Sequence, residues 1–134
     1  MATKQAKQFK IKVHLSLRYI LRFHSDDAEF EAECIDAGAT GLGATQQEAL
    51  QDLIVNLNAT HQVAVEHNLT MLTPARPEDE SLYAKLAARQ PVEPSVLGYG
   101  VIQHVEFLPA AADRKAKKPA QRRFEIGQHT SLAA

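Results

Sequence analysis

The feature that most constrains the fold is a long alternating stretch near the start of the chain, FKIKVHLSLRYILRF at Phe9–Phe23. Every odd-numbered residue in it is apolar, and the even-numbered ones include Lys10, Lys12, Arg18 and Arg22. A period of two is typical of a half-buried strand, whereas a helix would scatter the apolar side chains around its circumference. The stretch therefore predicts a strand with one face for an apolar cover and one face that carries cations.

The next segment, EFEAEC, alternates in the opposite sense, with glutamates at odd positions and apolar residues at even ones. If the two segments form a hairpin, their apolar faces coincide only when the numbers of opposed residues add up to an odd value. A sum of 51 places Arg22 opposite Glu29 and Arg18 opposite Glu33, and a sum of 53 places Arg22 opposite Glu31. Both registers set cations over glutamates on the outer face, at about 0.2–1 kcal/mol per pair.

A glycine-bearing segment follows and predicts a short third strand around Thr40–Leu42, before a long helix. Thr45 and Glu48 have the spacing of a capping box, which marks a helix start. The helix should end near His67–Asn68, and its apolar stripe should lie on the odd-numbered face of the first strand. That stripe comprises Leu50, Leu53, Ile54, Leu57, His61 and Ala64.

Two further elements complete the predicted domain. Pro77, followed by three acidic residues, starts a short second helix, and Tyr99–Phe107 alternates as a last strand. The fold class is therefore α+β: a three- to four-stranded, mainly antiparallel sheet packed on one long helix, in the order β-β-β-α-(α)-β. Residues 1–108 form this domain, and 109–134 form a basic C-terminal tail with little periodicity.

The net charge of -1 conceals an uneven distribution. The segments 1–22 and 114–134 each contain six basic residues, with no acid in the first and one in the second; residues 23–113 contain three basic and fifteen acidic residues. Basic ends on an acidic body suggest pairing with a partner or a second chain, but solubility and cross-strand pairs within one fold are the preferred explanation. The single cysteine excludes an intrachain disulfide, and no apolar run is long enough to span a bilayer, so we expect a cytoplasmic protein.

The residues that could carry catalysis or bind a metal do not form a recognisable pattern. Cys34 falls on the predicted core face, where a thiol behaves as a small apolar group. His14 and His104 could meet on the outer face of the sheet, but without a carboxylate partner they do not predict a metal site. We therefore predict no enzyme activity, no cofactor and no catalytic or metal-binding residue.

One cluster of cations near the C-terminus is a candidate contact for nucleic acid or for a partner. It comprises Arg114, Lys115, Lys117, Lys118, Arg122 and Arg123. Such a cluster can bind phosphates without sequence preference and with a steep salt dependence. A solubilising tail, or one that contacts the acidic body of a neighbouring subunit, is an equally good interpretation.

The segment FEAECIDAGATGLGATQQEALQDLIVNL resembles the HicB family, the antitoxin side of HicA–HicB toxin–antitoxin systems. Gly43, Thr45, Glu48 and Ala49 match the family's "G-x-T-x-x-E-A" helix start, and the resemblance covers residues 9–68. It implies a partial double-stranded-RNA-binding-like fold that binds a small basic toxin without catalysis and assembles as a dimer or larger oligomer. No helix-turn-helix pattern follows residue 108, so operator binding is not expected. A self-assembling module without a toxin and a non-specific nucleic-acid binder remain the alternatives.

Overall fold

The computed structural model describes residues 10–108 and 121–132, and within them an α+β fold with five strands and two helices. The strands are β1 (Lys10–His24), β2 (Glu29–Cys34), β3 (Ala39–Gly43), β4 (Val96–Leu108) and β5 (Gln121–Ser131). The helices are α1 (Gln46–Glu66) and α2 (Pro77–Ala87). The strands form one antiparallel sheet in the order β3-β2-β1-β4-β5, which confirms the predicted class.

The hairpin of β1 and β2 has the second of the two registers that the alternation allows. Arg22 lies opposite Glu31 and Tyr19 lies opposite Cys34, so opposed residue numbers add up to 53. This register keeps Leu21 and Ala32 together on the apolar face, and both are fully buried. The opposition of arginine and glutamate on the other face is thereby confirmed.

Helix α1 covers the apolar face, as the stripe of its sequence predicts. The Thr45 hydroxyl accepts a hydrogen bond from the Glu48 amide at 3.0 Å, and the Glu48 carboxylate reaches back to the Ala44 amide at 3.0 Å. Asn68, at a left-handed φ of 55°, follows the end of the helix. The core beneath α1 combines buried side chains of the helix with those of the sheet: Leu53, Leu57, Leu17, Tyr19, Leu21, Ala32 and Ile102.

A glycine lets α1 approach the edge of the sheet closely. A Cβ atom at Gly41 of β3 would lie 2.2 Å from the Leu53 amide nitrogen and 2.3 Å from the Ala49 carbonyl oxygen. Both atoms belong to the helix backbone, which cannot move aside without lifting α1. The glycine-rich sequence of β3 therefore reflects helix packing.

The second face of the sheet is covered in part by α2. Ile20, which falls among the polar even-numbered positions of β1, is fully buried there with Ile35, Leu86 and Val96. Tyr83 donates a hydrogen bond to the Gly100 carbonyl oxygen at 3.2 Å. The sequence predicted α2 but not its position, because an isolated Ile20 gives no periodic signal.

Strand β5 brings the strand count to five, where three or four were expected. The sequence analysis assigned residues 109–134 to a basic tail, whereas Gln121–Ser131 pairs with β4 along most of its length. Phe124, 4 % exposed, anchors β5 in the core beside α1. Residues 109–120 lie outside the described part of the chain.

A bulge in β1 corrects the prediction of one continuous apolar face. Val13 lies opposite Val105 and Leu15 opposite His104, so His14 is an additional residue on β1. Since one extra residue exchanges the two faces, Ile11 and Val13 do not lie beneath α1. They are 67 % and 45 % exposed.

Candidate protein-binding site

Strand β1 has a free backbone edge along its first half. It pairs with β4 from Lys10 to Arg22, but with β2 only from Tyr19 to His24. Where the two regions meet, the Arg18 amide donates to the Asp36 carboxylate at 2.8 Å. Among the described residues, 10–17 therefore have no strand on the β2 side, and we call this segment the open edge.

The outer edge of β3, in contrast, is closed by hydrogen bonds from α1. Strand β3 is the outermost strand, yet its Leu42 amide donates to the Asp52 carboxylate of α1 at 2.9 Å. The Asn56 side chain of α1 donates to the Thr40 carbonyl oxygen at 2.6 Å. Side chains of the helix thus satisfy backbone groups that a further strand would need.

A groove of about 470 Å³ runs beside the open edge. The 71–74 segment forms its other wall and is fixed by a hydrogen bond from the Thr73 amide to the Asp36 carbonyl oxygen at 2.9 Å. Its lining is formed by Leu15, Ser16, Leu17, Asp36, Leu72, Thr73 and Pro74. The groove has mixed apolar and polar walls, which suits an extended peptide segment.

A second cavity, a cleft of about 600 Å³, lies between α2 and the arginine–glutamate face of β1 and β2. Its cations are Arg22, Arg76 and Lys85. They are outnumbered by carboxylates of Glu31, Glu33, Glu78, Asp79 and Glu93. Glu78 and Glu93 form no ion pair with any described residue, so the cleft presents net negative charge.

Arg18 links Asp36, which lines the groove, to Glu80 of α2. Its guanidinium donates to both oxygens of Asp36, at 2.7 and 3.0 Å, and to both oxygens of Glu80 on α2, at 2.7 and 2.9 Å. Burial would raise the pKa of Asp36, but the hydrogen bonds and charge of Arg18 outweigh it and lower that pKa. The Arg18 pKa is raised by the hydrogen bonds to the same two carboxylates. Arg18 therefore stays charged and fixes α2 against the end of the open edge.

The histidines that were expected to meet on the outer face do meet, but on the face that α1 covers. The bulge turns His14 towards this face, where its ring lies 5.7 Å from that of His104. His61 of α1 lies 4.6 Å from His104, and His14 also contacts the Glu106 carboxylate. The sequence could not place this cluster, because the bulge exchanges faces without interrupting the alternation.

The remaining candidate residues do not assemble a reactive centre within the described ranges. Cys34 is fully buried, and burial raises the pKa of its thiol to about 11, which disfavours the reactive thiolate. No three histidine, cysteine, aspartate or glutamate side chains of the described residues are arranged to hold a metal ion. No helix in residues 10–108 or 121–132 has the length and apolar character needed to cross a membrane.

The structure separates the two described members of the basic cluster. Arg122 donates to Glu106 at 2.9 Å, whereas Arg123 donates to Glu125 at 2.6 Å and lies over the ring of Phe107. Neighbouring positions on a strand point to opposite faces, so the two arginines do not form one patch. Arg114, Lys115, Lys117 and Lys118 lie outside the described residues.

Comparison with protein-family models, with curated proteins and with solved structures returns no match for this chain.

Proposed function

We propose that this chain is a non-catalytic protein-binding module, a HicB-like antitoxin or regulator, and that it binds an extended segment of its partner by strand addition. The observation that carries the proposal is the open edge of β1. Residues 10–17 have no neighbouring strand on the β2 side among the described residues, and a groove of about 470 Å³ lies beside residues 15–17. An exposed edge of this kind is a template for pairing with another chain.

The side chains beside the open edge support a contact with protein. Ile11 and Val13 project from the uncovered half of β1, and Leu72 of the groove wall is 42 % exposed. Main-chain hydrogen bonds would supply affinity, and these apolar side chains would be buried at about 25 cal/mol per Å² of area removed from water. The groove gives such a strand room to extend in line with β2.

The charge of the cleft indicates the kind of partner. Its excess of carboxylates, with Glu78 and Glu93 unpaired among the described residues, is complementary to a cationic surface. A small basic protein is the partner that the HicB resemblance implies. We therefore propose that the open edge supplies the backbone pairing and the cleft supplies the electrostatic steering.

A second candidate function, self-assembly, is supported by the same edge. Two copies of residues 10–17 can pair antiparallel about a two-fold axis, because identical segments then satisfy each other's backbone groups. Such a pair would join two sheets into one and would require no other partner.

The test uses a matched pair of substitutions at Ser16. Backbone groups alternate in direction along a strand; since those of Arg18 face Asp36 and Ile35, the Ser16 amide faces the open edge. Ser16→Pro removes that donor, whereas Ser16→Ala keeps it. The full chain and both variants are sized by light scattering, alone and after co-expression with the product of the adjacent reading frame.

The outcomes distinguish the two candidates. A wild-type monomer that binds a small basic neighbour, with binding lost in S16P and kept in S16A, supports the first. A wild-type oligomer that dissociates in S16P alone supports the second. Equal behaviour of S16P and S16A in both measurements would contradict strand addition at this edge.

The contribution of the cleft is tested separately. The double substitution Glu78→Lys with Glu93→Lys should weaken binding of a basic partner at least tenfold at low salt, and less at high salt. Glu66→Lys, which changes charge on α1 away from the cleft, is the control. If the control weakens binding as much as the cleft variant, the effect is one of net charge and the cleft has no specific part in it.

A further inference from the structure

Strand β5 is attached to the domain by few buried side chains. Phe124 is its only residue with less than a tenth of its surface exposed in the Gln121–Ser131 range. The ring of Phe124 stacks on His104 of β4, with centroids 4.7 Å apart and planes inclined by 19°. Near the other end of β5, the His129 ring lies nearly parallel to that of Tyr19, with centroids 6.0 Å apart, and its Nδ1 lies 2.6 Å from the Tyr19 hydroxyl. An imidazole therefore takes part in the attachment at each end.

A second proton on the His104 ring would leave an N–H at Nε2 without a hydrogen-bond acceptor among the described residues. The ring is 7 % exposed, and its Nε2 is buried without a hydrogen-bond partner among the described residues. The groups facing it are mostly cationic or can become so: His61 on α1, His14 on β1 and Arg122 on β5. The nearby carboxylate, Glu106, already accepts from His14 and Arg122, and Lys12 acts on it as well.

The direction of the proton linkage follows from this environment. Burial lowers the pKa of His104, and the charges of His61, His14 and Arg122 lower it further, against the opposing effect of Glu106. Partial desolvation also lowers the pKa of His129, which is otherwise exposed. Both histidines therefore bind protons more readily when β5 is detached from β4 (the released state) than when β5 is paired with it (the docked state). The stability of the docked state is therefore fully present above the unfolded pKa of about 6.5 and is lost as the pH falls through the lowered docked values.

We propose that β5 is an acid-released edge strand, held on β4 by the neutral rings of His104 and His129 and detached when they are protonated. Release is local, because β5 is an outer strand with one buried anchor, whereas β1, β2 and β4 are held between neighbours. It exposes the outer edge of β4 for pairing, and this edge is distinct from the open edge of β1. The inference therefore does not depend on the proposed function.

A metal site is the competing interpretation of three clustered imidazoles. No group of three or more donor residues within 10–108 and 121–132 is arranged to hold an ion, so a metal would require the rings to move. Proton binding requires no such movement, and the unpartnered Nε2 of His104 supports the neutral ring. Zinc is included in the test because the two interpretations predict opposite effects on β5.

The experiment measures amide hydrogen exchange of the full chain by NMR at pH 7.5 and pH 5.5, corrected for the intrinsic rate. Protection in β5 should fall at least threefold on acidification, while protection in β2 changes less than twofold. His104→Phe keeps a ring against Phe124 but cannot be protonated, and should remove much of the β5 response. His67→Phe, at the exposed end of α1, should leave the response unchanged.

Three results would overturn the proposal. One is an equal loss of protection in β2 and β5, which would indicate global acid unfolding. Another is an unchanged pH response of β5 in H104F; if that variant does not fold, an NMR titration of the wild-type His104 ring with a pKa at or above 6.5 has the same force. The third is a tenfold gain of β5 protection on adding one equivalent of ZnCl₂ at pH 7.5, which would identify a metal site.

Discussion

The sheet has two backbone edges that differ: the outer edge of β3 is closed by hydrogen bonds from α1, whereas the edge along the first half of β1 is open. At β3, Asp52 and Asn56 of α1 bond the Leu42 amide and the Thr40 carbonyl, so the helix that covers the face also closes the edge. At β1, residues 10–17 have neither a strand nor a hydrogen-bonding side chain on the β2 side in the described part of the chain. Since the fold can close an edge with two polar side chains, leaving one open is a property of the site that we propose as functional.

β5 supplies a third edge, which differs from both. Arg122, Arg123 and Glu125 place charges along its first half, and Gly127 is an extra residue opposite the Val101–Ile102 step of β4. Charges and bulges discourage edge-to-edge pairing. The open edge of β1 also has a bulge, at His14, and two cations, Lys10 and Lys12. It differs from β5 in its exposed apolar side chains, Ile11 and Val13, and in the groove beside residues 15–17, which are why we assign partner binding to β1.

The largest loss of stability is expected from a substitution at Gly41, where α1 lies close against the closed edge of β3. Gly41→Ala would place a methyl group about 2.2 Å from the Leu53 amide, so α1 must lift from β3. We expect a loss of about 3 kcal/mol in the free energy of unfolding, measured by urea denaturation. Leu42→Ala, at the next position and 46 % exposed, should cost less than about 1 kcal/mol. Comparable losses in the two variants would mean that α1 does not pack on β3 in this way.

A second prediction concerns Asp36, which lies where the open edge ends. Asp36→Asn removes the charge that Arg18 holds and should cost about 2 kcal/mol at pH 7. Because the folded pKa of Asp36 is lowered below 3.8, its contribution is present above that value and is lost as the pH falls through the folded pKa.

The stability difference between wild type and D36N should therefore narrow towards zero in strong acid. Urea midpoints at pH 7, 5 and 3 provide the measurement, with Asp26→Asn in the exposed turn as the control. A gap that stays constant down to the lowest pH would show that the carboxylate charge is not what Arg18 stabilises.

A third prediction opens the closed edge directly. Asn56→Ala removes the donor to the Thr40 carbonyl and should cost about 1 kcal/mol. Asn58→Ala is the matched control, because among the described residues the Asn58 side chain bonds only the Ile54 carbonyl of its own helix, at 3.1 Å. The measurement is the free energy of unfolding of both variants. If N58A costs as much as N56A, the hydrogen bond that closes the β3 edge contributes nothing measurable to stability.

Local sequence patterns predicted the β1–β2 hairpin and the helix α1 that covers it well. The odd sum of opposed positions limited the β1–β2 register to a few choices, one of which places Arg22 opposite Glu31. The Thr45 cap and the α1 stripe followed from spacing alone. These features depend on residues near one another in sequence or on a strict period, and both survive in a single sequence.

The histidine cluster could not be predicted, because one extra residue on β1 creates it, whereas the open edge follows from the greater length of β1 compared with β2. The His14 bulge leaves the alternation of Phe9–Phe23 intact while exchanging the faces on either side of it. Only the pairing with β4, more than half the length of the chain away, reveals the exchange. β5 was missed for a related reason: its single buried anchor, Phe124, gives no periodic signal.

The smallest effect is expected at the open edge itself. If the Ser16 amide faces no strand, Ser16→Pro should cost less than about 1 kcal/mol, since proline is tolerated at strand edges. Gln103 lies directly opposite on β4, and its backbone faces β5, where it is paired with Glu125. Gln103→Pro should therefore cost at least about 2 kcal/mol, because it removes a ladder hydrogen bond. The two prolines probe the same cross-strand pair from opposite sides. If Ser16→Pro lowers the free energy of unfolding as much as Gln103→Pro does, the Ser16 amide is paired with a strand, and the edge on which the proposed binding depends is not open.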